Sequence, residues 1–290
     1  MLRLFFTVMI TSSLNMIYAQ QGEETSLYWN ILSAINPATS GIQYKHEGLL
    51  HYRHSLNSNW ASSPGTLLGI YNTNFKQHGA GLFYRYSHIG FMRSQYIKGS
   101  YNYQLSLNDG SKLSFGTAIN FQTHQIDWSE AIPPVPYDNY RGVSLNTDFG
   151  LAYLNEKIFT GISLNQFTIS HFSKETNDAG FYDPAPVLNA HFRYLFNLNS
   201  SLLLFPQMLL STDFIKVASQ FNLNLSYNNF INVGLVYSTQ HRIGANLSIS
   251  FLDRYSFAYQ YTFLINSLSS LGSFGDNTFQ LMIRIPNNSK

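Results

Sequence analysis

Histidine can bind metals or move protons at neutral pH, and the chain contains nine histidines. His51 and His54 are three positions apart, with His46 nearby. On a β-strand, residues three apart point to opposite faces, so this spacing does not form a chelating pair. The histidines that stand singly near loop bases are His124, His171 and His241. We therefore predict no metal site.

The other residue types that commonly form active sites are either absent or not arranged as a known catalytic motif. The absence of cysteine excludes disulfides, thiolate metal sites and cysteine nucleophiles. Serine and histidine are abundant enough for the dyad of lipid-hydrolysing barrels, but no acidic residue stands where it would orient one. No phosphate-binding loop or dinucleotide fingerprint occurs. We predict a protein that is not an enzyme and has no cofactor, with a lipid-active enzyme as the third interpretation.

Composition narrows the class of protein. Charged residues make up 11% of the chain and the net charge is +2, whereas soluble domains carry about 25% charged residues. No dense basic stripe is present, which argues against nucleic acid as a partner. Aromatic residues reach 16%, yet mean hydropathy is −0.11. This combination is typical of membrane barrels, whose strands have one lipid face and one wet face.

Alternation of apolar and polar residues is the main pattern after residue 44. Leu113, Phe115 and Phe121 alternate with small or polar residues such as Ser114 and Asn120. A period of two indicates a strand with one apolar face. Nearly every segment has such a face, and no amphipathic helix is present to cover it. We predict an all-β fold, a transmembrane antiparallel β-barrel of about 14 strands.

The predicted strands lie near 44–53, 66–73, 77–87, 92–105, 112–124, 143–154, 157–166, 186–197, 201–211, 214–226, 230–238, 241–251, 254–265 and 277–285. The ninth is the least regular, because Pro206 cannot donate a hydrogen bond to a neighbouring strand. Every second connection is short, and the long ones fall only on odd positions. Outer-membrane barrels have short periplasmic turns and longer outside loops, so we predict the cell outer membrane with both termini in the periplasm.

The first 43 residues precede the barrel. Met1–Arg3 is a short basic start, Leu4–Ile10 is apolar, and Ala19 suits the last position before a cleavage site. The apolar run is far shorter than the ~20 residues of a membrane helix. We predict a signal peptide at 1–19, an N-terminal periplasmic or plug segment at 20–43, and the outer-membrane barrel at 44–290.

Charged residues inside the predicted strands fall on the polar face, so they point into the lumen. Pairing across the lumen is the structural interpretation, and a channel or plug contact is the functional one. The predicted lumen residues are Arg85, Lys98, Asp148, His191, Arg193 and Arg284.

Three motifs give the chain a resemblance to a known family. The first is Tyr28…Asn36-Pro37-Ala38…Gly41, ahead of the first strand. The others are Arg53…Trp60…Pro64-Gly65-Thr66 and Gly275…Phe279-Gln280-Leu281-Met282. Together they resemble the PorP/SprF family, outer-membrane proteins of the type IX secretion system of Bacteroidota. A departure is the C-terminus, which runs past Ile285 into 286–290 instead of ending on an aromatic residue.

The resemblance implies a role in exporting or anchoring large cell-surface proteins, including gliding adhesins, or in joining the periplasmic machinery. Aromatic and proline residues in the long loops are the candidates for partner contact. They are Trp60, Trp128, Pro133, Pro134, Tyr137, Tyr140, Phe172, Phe181 and Tyr182. The turn Asn36-Pro37-Ala38 is the second candidate, although a turn that seats the N-terminus explains it more simply.

The sequence therefore predicts an outer-membrane barrel that binds and anchors, or helps to export, a secreted surface protein. Its expected partners are outer-membrane lipids and either the C-terminal domain of an adhesin or components of type IX secretion. The alternative is a transporter for small or hydrophobic molecules, similar to fatty-acid channels, because such barrels share the strand number and an N-terminal plug.

Overall fold

A computed structural model describes residues 26–57, 63–130, 139–174, 185–265 and 273–286. Each strand in these ranges pairs antiparallel with its neighbours along the chain. The strands are β1 Tyr44–Asn57, β2 Gly65–Phe75, β3 His78–Ile89, β4 Met92–Ser106, β5 Lys112–Ile126, β6 Tyr140–Leu154, β7 Ile158–Lys174, β8 Val187–Tyr194, β9 Phe196–Asn197, β10 Leu202–Thr212, β11 Val217–Tyr227, β12 Ile231–Ser238, β13 Arg242–Phe251, β14 Tyr255–Leu264 and β15 Ser273–Pro286.

The sheet closes on itself between its first and last strands. β1 pairs with β15 from Tyr44 opposite Pro286 to Asn57 opposite Ser273. β8 and β9 occupy one position in the wall, because both pair with β10. The described chain therefore forms a closed 14-strand antiparallel barrel, which confirms the predicted fold. Within the same ranges, no helix is both long and apolar enough to span a membrane.

The break between β8 and β9 lies opposite a proline. β10 pairs with β8 from Gln207 to Thr212 and with β9 at Leu203 and Leu204. Pro206 stands between these two stretches. Because proline has no backbone N–H, it cannot donate a hydrogen bond to the adjacent strand, and the wall strand is interrupted at this level.

β7 is longer than the sequence predicts. The pattern indicates a strand at 157–166 followed by a loop, but pairing with β6 continues to Lys174. Gln166 has a φ of +62° and forms a bulge, and its backbone N–H donates to the Asp148 carboxylate at 2.9 Å. The bulge shifts the alternation of inward and outward residues, so the second half of the strand does not continue the pattern of the first.

Alternation along the strands separates a lipid-facing surface from the lumen. On β5, Phe115, Ile119 and Phe121 are exposed, whereas Ala118 and Asn120 are buried. The lumen also contains the chain that precedes β1. Residues 26–43, which we call the plug, form short helical turns at Tyr28–Asn30, Leu32–Ile35 and Pro37–Thr39. The apolar core lies between the plug and the inner wall.

The two rims of the barrel differ in their connections. At one rim, which we call the short-turn rim, each connection has two to five residues, such as 76–77 and 228–230. Asn228 and Asn229 both have positive φ values, as tight hairpin turns require. The opposite, long-loop rim has the three longest connections, at 127–139, 175–186 and 265–272.

Replacing Ile119 with arginine tests the assignment of the lipid face. Ile119 is 58% exposed near the middle of β5. We expect Ile119→Arg to lower the free energy of unfolding by about 2–4 kcal/mol, because arginine is costly at the bilayer midplane. The control Val217→Arg, at the rim end of β11, should cost about 1 kcal/mol or less. Denaturant titration in lipid vesicles measures both, and equal losses would contradict the assignment.

Candidate functional site

The Asn36-Pro37-Ala38 turn packs against the lumen wall formed by β4 to β7 and is buried. The Asn36 side-chain amide donates to the backbone carbonyls of Leu151, at 2.9 Å, and Ile162, at 3.3 Å, on β6 and β7. Its oxygen accepts the backbone N–H of Ala38 at 2.9 Å. One asparagine thus caps the turn and joins it to two strands, which explains the residue type at this position.

Glycines on the inner wall make room for the turn. A Cβ atom at Gly150 would lie 2.0 Å from Oδ1 of Asn36, and one at Gly116 would lie 2.3 Å from the backbone nitrogen of Ala38. At Gly79 it would meet the carbonyl oxygen of Ser40 at 2.1 Å. Any side chain at these positions would displace the plug. The sequence shows these glycines but gives no sign that they face one segment.

Side chains of the barrel wall hydrogen-bond to the backbone carbonyls of the plug. Asn165 donates to the Ile35 carbonyl at 2.7 Å and Asn102 to the Ser40 carbonyl at 2.7 Å. Further donors are Asn74 to Gly41, Lys112 to Ile42 and Ser163 to Ile35. The lumen wall therefore supplies the hydrogen bonds that the backbone of a short irregular segment would otherwise make to water.

The start of the plug is hydrogen-bonded to the last two strands of the barrel, β14 and β15. The Leu27 backbone N–H donates to the Gln260 side chain on β14 at 3.3 Å. Asn30 donates to the side chain of Gln280 on β15 at 2.8 Å. With the contacts above, hydrogen bonds of the plug reach β2, β4, β5, β6, β7, β14 and β15. The plug is thus fixed across the lumen and is not attached to one strand alone.

Lys98 and Asp148 form an ion pair next to the plug. Lys98 Nζ lies 3.3 Å from the Asp148 carboxylate, and both side chains are fully buried. The Lys98 ammonium also donates to the Ala34 carbonyl of the plug. Asp148 accepts from Asn120 at 2.9 Å and from the backbone of Gln166 at 2.9 Å. Buried charges persist only when paired and hydrogen-bonded, and this pair meets both conditions.

The other predicted lumen residues also face inward. Arg284 bonds to Glu47 at 2.8 Å and to Asn30 of the plug at 3.1 Å. The guanidinium of Arg85 lies 5.0 Å from the Tyr96 ring centroid, and that of Arg193 lies 5.2 Å from the Phe159 ring centroid. The buried His191 ring packs edge-on against Phe159 at 5.3 Å.

A second charged cluster lies in the lumen towards the long-loop rim. Asp276 on β15 pairs with Arg53 on β1 at 2.9 Å and with Arg242 on β13, and it also accepts from Ser55. It therefore links β15 to strands on both of its sides. Strand alternation on β1 and β15 predicts that Arg53 and Asp276 point inward, but the sequence gives no sign that they form a cluster.

The part of the lumen wall formed by β10 to β13 is lined with carboxamides. Gln207, Gln220, Asn224 and Asn246 are buried there. Each has a side-chain atom with no hydrogen-bond partner among the described residues. The amides of Asn224 and Asn246 both lean over Gly234. This side of the lumen is polar, and its groups are suited to water or to a hydrogen-bonding ligand.

The predicted loop contacts occupy different environments. Phe172 lies on β7 and is 67% exposed. The Trp128 ring packs on Phe91 at 5.1 Å at the long-loop rim. Tyr140 is the first residue of β6 and is buried on the lumen side, so its ring does not face a partner outside the barrel. The predicted residues Trp60, Pro133, Pro134, Tyr137, Phe181 and Tyr182 lie outside the described residues.

A single methyl group at position 150 tests the fit of the plug. We expect Gly150→Ala to break the Asn36 hydrogen bonds and lower the free energy of unfolding by about 1–3 kcal/mol. Gly99→Ala is the matched control, because a Cβ there meets nothing within 4 Å. Equal stability of the two variants in denaturant titration would show that the plug does not depend on this contact.

A double-mutant cycle tests the buried ion pair. Removal of one partner by Lys98→Met or Asp148→Leu leaves an unpaired buried charge, and each should cost about 3–5 kcal/mol. The double variant should recover part of the loss, because it leaves no unpaired charge. Unfolding free energies of the four proteins give the coupling energy, and strictly additive losses would rule out the pair as a unit.

Residues 17–285 match the family described as "Type IX secretion system membrane protein PorP/SprF". The chain is similar in fold to the monoaromatic hydrocarbon channel CymD, with a TM-score of 0.51, 11% identity, and 88% and 93% of the two chains covered.

A second similar structure is the deltaS2S3 mutant of the monoaromatic hydrocarbon channel TodX. Its TM-score is 0.50 at 10% identity, with 86% of this chain and 92% of that chain covered. At these identities the likeness concerns the barrel fold alone. No curated protein matches the chain. Because the family match spans nearly the whole sequence, the chain belongs to the PorP/SprF family of type IX secretion system membrane proteins.

Proposed function

We propose that this outer-membrane barrel acts through its rims, as a binding partner in type IX secretion. The long-loop rim faces the cell exterior and holds a secreted surface protein, or assists its export. The short-turn rim and both termini face the periplasm and the secretion machinery. The observation that carries this proposal is the family match over residues 17–285 in a chain whose lumen contains a firmly bonded plug.

The plug supports a function at the rims over a function through the lumen. Its residues Leu27, Ile31, Asn36 and Ala38 are at most 1% exposed. The plug as a whole is hydrogen-bonded to seven wall strands, and the Lys98–Asp148 pair is in direct contact with it. Passage of a solute on the plug's side of the lumen would have to break these bonds and separate a buried ion pair, a large cost for a routine transport step.

The chemistry of the lumen also argues against a hydrophobic transporter. The remaining wall, from β10 to β13, presents buried carboxamides such as Gln220, Asn224 and Asn246. A hydrocarbon passing over them would leave their polar atoms without partners, at a cost of about 1–3 kcal/mol each. The likeness to hydrocarbon channels is one of architecture, and architecture alone does not define a substrate.

Exposed apolar side chains at the long-loop rim supply the contact surface. Phe214 and Ile215 in the β10–β11 turn are 66% and 85% exposed. Large apolar residues at a solvated rim are the usual anchors of protein interfaces. The turn is well ordered by its own bonds, since Asp213 accepts the backbone N–H groups of Ile215 and Lys216 at 3.0 and 2.8 Å.

Affinity purification of the tagged protein from detergent-solubilised outer membranes tests the proposal. We expect a large surface protein or secretion components to co-purify with the wild type. Phe214→Ser combined with Ile215→Ser should reduce recovery of the surface protein at least about tenfold, because two apolar contacts are lost. Mass spectrometry of the eluates gives the recovery.

The matched control is Phe230→Ser combined with Leu252→Ser at the short-turn rim, where both side chains are exposed. It should retain the surface protein. Recovery of the wild-type barrel with no stoichiometric partner would overturn the proposal, as would equal loss in both double variants. Uptake of a monoaromatic hydrocarbon by cells that express the wild type, and not by cells without it, would instead favour transport.

A further inference from the structure

The sheet register aligns basic residues across four strands at the long-loop rim. His88 on β3 is opposite Arg93 on β4, and Arg93 is opposite Gln125 on β5. Gln125 is in turn opposite Arg141 on β6. Residues directly opposite each other in antiparallel strands face the same side of the sheet. We call His88, Arg93, Gln125 and Arg141 the basic row.

The basic row faces away from the lumen. Arg93 and Arg141 are exposed, whereas Tyr96 and Tyr140, which face inward on the same strands, are buried. The imidazole of His88 lies over Gly65 on the same outward face, where a Cβ would meet it at 2.4 Å. The row therefore belongs to the surface that the membrane surrounds.

An apolar row lies on the same face, further from the long-loop rim. Tyr84, Ile97 and Phe121 are opposite one another on β3, β4 and β5 and are 40%, 48% and 54% exposed. Four residues of β4 separate Ile97 from Arg93, about 13 Å along the strand and about 10 Å along the axis of a barrel with the usual tilt. The basic row is therefore at the level of lipid headgroups.

The spacing of the two arginines suits a phosphorylated group. Neighbouring strands are about 4.8 Å apart, so Arg93 and Arg141 lie about 10 Å apart with the Gln125 amide between them. Guanidinium groups bind phosphate through paired N–H donors.

We propose that the basic row binds the phosphate groups of a phosphorylated lipid in the leaflet around the long-loop rim. The apolar row beneath it contacts the acyl chains of the same molecule, which a free phosphate ion does not possess. This inference depends on the location of the barrel in the outer membrane. It does not depend on the partner role proposed above, so the two can fail separately.

Native mass spectrometry of the detergent-purified barrel with bis-phosphorylated lipid A tests the inference. We expect Arg93→Gln combined with Arg141→Gln to weaken lipid binding about 20-fold, because each basic residue near a lipid surface contributes a several-fold gain. The control is Lys157→Gln combined with Arg254→Gln, two exposed residues at the short-turn rim. It removes the same charge and should bind as the wild type does.

Two further probes separate the sources of phosphate. A dephosphorylated lipid A should bind the wild type several-fold more weakly, and inorganic phosphate should not displace the bound lipid. Circular dichroism establishes that all variants form the barrel. Unchanged lipid binding in the Arg93/Arg141 variant, equal loss in the control, equal binding of the dephosphorylated lipid, or displacement by inorganic phosphate would each overturn the proposal.

Discussion

Buried peptide groups must find hydrogen-bond partners, and in this barrel that requirement joins the plug to the wall. The plug is too short for its turns to satisfy their own carbonyls. Lumen side chains such as Asn102 and Asn165 donate to them, and Asn36 returns the interaction by donating to carbonyls of the wall. Lys98 makes two of these interactions. Its ammonium group neutralises the Asp148 carboxylate and donates a hydrogen bond to the Ala34 carbonyl of the plug. The polar lumen is therefore best understood as a binding surface for the chain's own N-terminal segment.

The barrel shares its architecture with hydrocarbon channels, and the function proposed for it differs from theirs. A channel needs a plug or wall that can yield, whereas here the plug contacts involve seven strands and a buried ion pair. In the proposed function, other molecules are bound at the rims and at the lipid-facing surface. The exposed Phe214 and Ile215 lie at a rim, and Arg93 and Arg141 stand at the boundary between rim and lipid-facing surface.

Local patterns in the sequence predict much of this structure. Alternation alone indicates the strands and the inward direction of Lys98, Asp148 and Arg284, since that information is contained in a few neighbouring residues. The position of the plug is different, because Leu27 contacts Gln260, 233 positions away, and no local signal encodes such a pairing. The need for glycine at positions 150 and 116 becomes clear only when Asn36 and Ala38 are seen to pack against them. The basic row likewise requires the register of four strands, and the Gln166 bulge shows how one residue can shift a register.

The order of these contacts along the chain has a consequence for assembly. The plug is synthesised before every strand, yet its bonds include Gln260 and Gln280 in the last two strands. β15 also completes the ring by pairing with β1. The bonds of the plug to Gln260 and Gln280 can form only once these last two strands are in place. Complete seating of the plug is therefore coupled to closure of the ring.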